Sequence, residues 1–161
     1  MLISESGVHQ TSERYFFTPS SLARELFYYP TRCGHYFCSH LYSFSHQSEI
    51  ARQGDHNQNI MLFLIQSGAM ELELSNTPLL AAAGQTVIFD CREPYCYQGA
   101  DGLEFTWLLF NGLNTRDFYR RILQARGGRP AVAPPPGFEI APPRCSHRGG
   151  GGGGERPGAG A

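Results

Sequence analysis

Apolar and polar residues alternate most regularly between Ile60 and Phe110, where short apolar runs are separated by turn-forming residues. Met70, Leu72 and Leu74 fall on one side of an extended chain and Glu71 and Glu73 on the other, the period of a strand with one buried and one wet face. Gln66-Ser67-Gly68, Ser75-Asn76-Thr77, Ala83-Gly84-Gln85 and the stretch from Gln98 to Gly102 punctuate the run with residues that tolerate positive φ or bond their own backbone. Several short strands at such spacing predict an antiparallel sandwich or barrel.

The flanks follow other periods. The first fifteen residues are polar and aperiodic and read as an arm, ordered only if something docks it. Leu22, Ala23, Leu26 and Phe27 recur at helical spacing after Ser20 or Ser21 as a cap, and Pro30 ends that helix. The aromatic stretch from Gly34 to Phe44 predicts the strand that opens the sheet, and Gln47 to Asn59 a second strand edge with a loop. After Asn111-Gly112, Asn114 or Thr115 caps a helix whose stripe is Phe118, Tyr119, Ile122 and Leu123, with Arg120, Arg121 and Arg126 towards its C-terminal end. Residues 127–161 hold eleven glycines and seven prolines, too little apolar surface to offset chain entropy, so a disordered tail is expected. The predicted organisation is an arm over 1–17, one β domain with a trailing helix over 18–126, and the tail over 127–161.

Charge and cysteine content narrow the function classes. A net charge of −1 disfavours direct contact of this chain with DNA, which calls for a strongly basic face. Neither a signal sequence nor a run of apolar residues long enough for a membrane span is visible, so a cytoplasmic, soluble chain with no membrane partner is expected. Five cysteines without a secretory signal suggest reduced thiols. Cys33, His35, Cys38 and His40, with Cys91 and Cys96, look like zinc ligands, but on a strand the odd and even positions face opposite ways and do not converge. No nucleophile elbow or phosphate loop is present, because the glycine run at 149–154 lacks a following lysine. No catalytic residue and no cofactor are assigned, and no enzymatic activity is expected.

Three runs taken in order, ARELFYYPTRCGHYFC, AAAGQTVIFDCREPYCY and FTWLLFNGLNTRDFYRRIL, resemble the N-terminal sensor domain of AraC-type transcriptional regulators over roughly residues 19–128. The resemblance implies a mainly β, cupin-like jelly-roll barrel that binds a small effector, often a sugar, followed by helices that dimerise. In such regulators DNA is bound by a separate C-terminal domain. That domain is missing here, and the tail reads as a truncated or out-of-frame end. The positions matching the sugar-contacting residues of the family are Arg52, Tyr97 and Trp107, and Phe105 shares the strand face of Trp107. Aromatic faces cover the apolar side of a sugar ring, while a guanidinium and a phenol bond its hydroxyls. The same aromatics also suit core packing, and Arg52 also suits a solvated loop. The alternatives are a metal-dependent small cupin enzyme and a ligand-free scaffold or truncated product; against the enzyme, there is no His-x-His around His56, and Pro94-Tyr95 stands where that reading expects Pro-His. The trailing helix would present Phe118 and Ile122 for dimerisation; without the second helix of the family, weak or no dimerisation is expected.

Overall fold

The computed structural model describes residues 5–46, 58–128 and 131–132. Arg52, His56, most of the loop predicted over 47–59 and nearly all of the tail lie outside the described residues. Among the described residues, ten strands and two helices follow in the order β1 (Glu13–Phe16), α1 (Ser21–Leu26), β2 (Tyr29–Cys38), β3 (Ser43–His46), β4 (Ile60–Ser67), β5 (Ala69–Leu74), β6 (Thr77–Ala82), β7 (Thr86–Asp90), β8 (Tyr95–Gly99), β9 (Leu103–Asn111), α2 (Thr115–Ala125) and β10 (Ala131–Val132). They form a six-stranded sheet, β1-β2-β9-β4-β7-β10, and a four-stranded sheet, β3-β8-β5-β6. Every pairing is antiparallel.

Local chemistry sets the corners. The β5–β6 hairpin turns on Ser75 and Asn76, both at positive φ, the backbone twist that two-residue hairpins require. The chain crosses from the six-stranded to the four-stranded sheet between β4 and β5 at Gly68, and from the four-stranded back to the six-stranded sheet between β8 and β9 at Gly102, both left-handed. A Cβ on Gly68 would sit 3.1 Å from the Gly102 carbonyl, so the two corners pack backbone to backbone.

Alternation then fills the space between the sheets. Met61, Phe63 and Ile65 on β4, Leu103, Phe105, Trp107 and Leu109 on β9, Met70 and Leu72 on β5, and Tyr95 and Tyr97 on β8 form one buried cluster. Glu71 and Glu73 point to solvent, as their spacing predicts. Ile60 and Ile88 are buried outside that cluster, on the strands that α2 packs across.

Several expectations from the sequence are corrected. The run from Gly34 to Phe44 is not one strand but parts of two, lying in different sheets, with β2 beginning at Tyr29. Within the arm, Glu13–Phe16 docks as an edge strand on β2; only four residues long and mostly exposed, it carries no apolar periodicity. Helix α1 is capped by Ser20, whose Oγ accepts from the Ala23 amide at 3.1 Å, yet none of its residues is buried. At α2 the Asn114 side chain does not cap; it accepts from the Tyr28 hydroxyl at 2.6 Å, and the Phe118 ring packs 5.7 Å from that of Tyr28. Phe118 remains 45% exposed, while Ile122 is half-buried. Helix α2 is fastened instead by Arg116, 3.6 Å from buried Asp90, which also holds Arg92 at 2.7 Å. Within the region expected to be tail, Ala131 and Val132 pair with Val87 and Thr86 of β7. Among the described residues no helix is long and apolar enough to cross a membrane.

Candidate ligand-binding cavity

Between the two sheets lies a cavity of about 520 Å³, within the range of small-molecule sites. One wall belongs to β3 and β8, where Phe44 faces Tyr97 and His46 faces Tyr95 across the strand pair. The period of two puts all four rings on one side, and they stack: Phe44 on Tyr97 at 5.4 Å and 17°, His46 on Tyr95 at 5.0 Å and 26°. Tyr36, Met61, Phe63, Trp107 and Leu109 of the six-stranded sheet form the facing wall. Tyr42 lies among them and its hydroxyl donates to the Tyr97 oxygen at 3.5 Å. Glu5, Ser6, Arg14 and Arg32 supply polar groups to the lining, with Arg14 ion-paired to Glu5.

Burial dictates the chemistry of these hydroxyls and thiols. Loss of hydration pushes the phenols of Tyr42, Tyr95 and Tyr97 well above the ordinary tyrosine range, and that of Tyr36 up to about 12. Each is therefore a neutral donor and acceptor at physiological pH, suited to hydroxyl groups rather than to proton abstraction. The Cys91 thiol at the cavity is likewise pushed up to about 12 by burial, which removes it as a nucleophile near neutrality.

Trp107 depends on a missing side chain across from it. Gly34 of β2 is its register partner, and a Cβ there would lie 2.6 Å from the indole Nε1 and 2.7 Å from the Glu13 carbonyl. The indole therefore lies against bare backbone, its Nε1 buried and unpartnered within the described structure. Gly34→Ala should displace the indole and loosen β1, costing about 1–3 kcal/mol of stability as overpacking does. A lowered thermal midpoint together with shifted Trp107 emission checks this; unchanged values for both would contradict it.

The residues predicted from the sequence separate on this geometry. Tyr97 and Trp107 come together on facing walls of the cavity. Phe105 does not reach the lining; it is 0% exposed and packs edge-on to Phe63 and Tyr36, at 5.3 and 5.8 Å. Tyr36, Tyr42, Phe44, His46 and Tyr95 are lining residues that sequence reasoning did not assign. The alternation that placed Tyr97 also places Tyr95, and the other four needed the pairing of distant strands. Of the cysteine and histidine cluster, Cys38 points into the core, whereas Cys33 and His35 share the opposite face of β2. His35 bonds Glu104 at 2.9 Å across the sheet, and His40 bonds Asp101 at 2.8 Å at the surface. Among the described residues no three His, Cys, Asp or Glu side chains gather as metal ligands would.

No family model and no curated protein matches the sequence. Solved structures do match. The chain is similar to the protein YhaK from Escherichia coli, with 12% identity and a TM-score of 0.50, covering 65% of this chain and 46% of that one. It is also similar to the Cupin_2 domain of an XRE family transcriptional regulator from Enterobacter cloacae, at 13% identity and a TM-score of 0.43 over 62% of this chain and 96% of that one. A third is an HTH_3 family transcriptional regulator from Vibrio cholerae, at 10% identity and a TM-score of 0.44 over 62% and 51%. The chain thus spans less than half the length of YhaK. With its two antiparallel sheets, a short helix near the N-terminus and a longer one after the last wall strand, this chain is a mainly β domain of cupin-like fold.

Proposed function

We propose that this domain is the effector-sensing part of an AraC-type transcriptional regulator, and that the effector is a small sugar-like molecule held between the sheets. The observation that carries the reading is the lining of the cavity: a stacked aromatic wall facing Trp107, with neutral phenol hydroxyls between them. Aromatic faces cover the apolar C–H face of a sugar ring, and phenols exchange hydrogen bonds with its hydroxyls away from competing water. Contact with DNA belongs, on this reading, to a helix-turn-helix domain outside this chain. Calorimetric titration with a panel of pentoses and hexoses should give measurable heat, and Trp107, the single tryptophan of the chain, should report binding as a change in its fluorescence. Absence of both across the panel overturns the assignment.

A further inference from the structure

We propose that the ligand of this cavity is two-ended, a sugar joined to a small apolar alcohol or phenol as in an alkyl or aryl glycoside, an inference that rests on the sugar-binding reading above and extends it to the rest of the cavity. The observation is a change of polarity across the inner face of the six-stranded sheet. Strand register sets two rows of side chains next to each other, each taken in the order β1, β2, β9, β4. One row is Arg14, Gly34, Trp107 and Phe63. The other is Phe16, Arg32, Leu109 and Met61. Alternation turns both rows toward the four-stranded sheet, and all of these residues except Gly34 and Phe16 line the cavity.

The β1–β2 end of the rows is polar, and there Glu5 pairs with Arg14 and accepts a hydrogen bond from the Tyr36 hydroxyl at 3.4 Å. The β9–β4 end is apolar. Leu109, Met61 and Phe63 offer no side-chain donor, and from the facing wall the Tyr97 ring packs edge-on to Phe63 at 5.1 Å. Neighbouring strands lie about 4.8 Å apart, so the rows reach about 14 Å from β1 to β4, whereas one sugar ring covers no more than about two strands. A sugar seated over Gly34 and Trp107, beside the Tyr36 ring that stands 5.5 Å from the indole, leaves the end formed by Leu109, Met61 and Phe63 uncovered. Water fills such an end poorly, because a buried water needs several polar partners. An apolar group attached to the sugar fills it and gains affinity with each methylene removed from water. A second sugar fits less well, since its hydroxyls would give up water against side chains that cannot bond them. The volume of about 520 Å³ suits a ligand of that combined size.

Calorimetric titration of the full chain with galactose and glucose, with their methyl, butyl and phenyl glycosides, and with lactose tests this. For at least one of the two sugars, affinity should climb by up to about fourfold per added methylene, so that the butyl and phenyl glycosides bind at least about tenfold tighter than the methyl one. The heat-capacity change of binding should grow more negative along the same series. Met61→Gln, which keeps the length of the side chain and makes that wall polar, should cut the ratio of butyl to methyl affinity several-fold. Equal affinity for the free sugar and all its glycosides overturns the proposal and leaves the sugar-sensing reading standing, whereas binding of no sugar and no glycoside removes both. Tighter binding of lactose than of any butyl or phenyl glycoside overturns the apolar assignment. Butanol or phenol binding as tightly as its glycoside overturns the sugar reading and the proposal together. A folded Met61→Gln with an unchanged ratio overturns the proposal; should that variant fail to fold, the alkyl series on the unaltered chain decides alone.

Discussion

Phe105→Ala is expected to cost the domain about 3–5 kcal/mol of unfolding free energy, a large part of the roughly 5–15 kcal/mol that holds a domain of this kind together. Phe105 is 0% exposed, stands across β2–β9 from Tyr36, and makes ring contacts with Phe63 at 5.3 Å, Tyr36 at 5.8 Å and Tyr42 at 5.9 Å. Truncation removes the whole ring from three aromatic partners, on β4, on β2 and at the corner before β3, so the space cannot close without moving backbone. Urea unfolding followed by circular dichroism should show the midpoint falling by about 1–3 M, since the slope for small domains is about 1–3 kcal/mol per M. The result also decides what Phe105 is for. A packing residue loses stability and leaves the sugar affinity of the surviving folded protein largely intact; a ligand contact would do the reverse. A stability loss below about 1 kcal/mol would place Phe105 outside the load of the core.

That distinction shows how far the sequence reaches. Period-2 alternation assigns Phe105 and Trp107 to one face of β9, and they do share it, both belonging to the buried cluster. Alternation carries no information about depth. Which of the two lines a cavity depends on what stands across the strand pair, Tyr36 for Phe105 and Gly34 for Trp107, and that register joins segments about seventy residues apart. The turns were legible because their backbone chemistry is local: Ser75-Asn76, Gly84 and Gly102 all take positive φ where the sequence places breaks. The division of the Gly34–Phe44 stretch was not, because the corner between β2 and β3 carries no glycine or proline and aromatic residues lie on both sides of it. Strand β1 was hidden for a related reason. Its role comes from edge pairing with β2 rather than from its own burial, and with it went Arg14, one of the charged residues that line the cavity.

Asn114 makes the same point at a helix end. An asparagine before an amphipathic run is a good local cap, yet here a tyrosine eighty-six positions earlier claims its side-chain oxygen. Tyr95 is the instructive case at the cavity itself. Read one position at a time, it is a residue that lacks a metal-binding nitrogen; read with its neighbours, it completes a four-ring wall with Phe44, His46 and Tyr97. Cross-strand pairs are the unit of that wall, and half of every pair is far away in the chain.

The largest effect should come from base. The domain is expected to stay folded up to about pH 9 and to unfold cooperatively between about pH 10 and 11, and the sign follows from the buried acids. Burial raises the thiols of Cys38 and Cys91 from 9.0 to about 12 and the phenol of Tyr36 from 10.0 to about 12, and lifts Tyr42, Tyr95 and Tyr97 still further. The folded state keeps these protons where the unfolded chain releases them. Above the unfolded values the unfolded state therefore binds fewer protons, and stability falls as pH rises; below pH 9 the contribution is complete. Each group removes about 1.4 kcal/mol per pH unit once its unfolded counterpart is ionised. With two thiols acting from pH 9 and four phenols from pH 10, roughly 10 kcal/mol is lost by pH 11, comparable with the whole stability of a small domain. Tyrosinate absorbance supplies the signature. Of the eight tyrosines in the chain, the four buried ones should ionise only in the step that abolishes the near-ultraviolet dichroism. Smooth, reversible titration of all eight near pH 10 with native dichroism retained would mean that these phenols are hydrated, and the cavity walls as described would not stand.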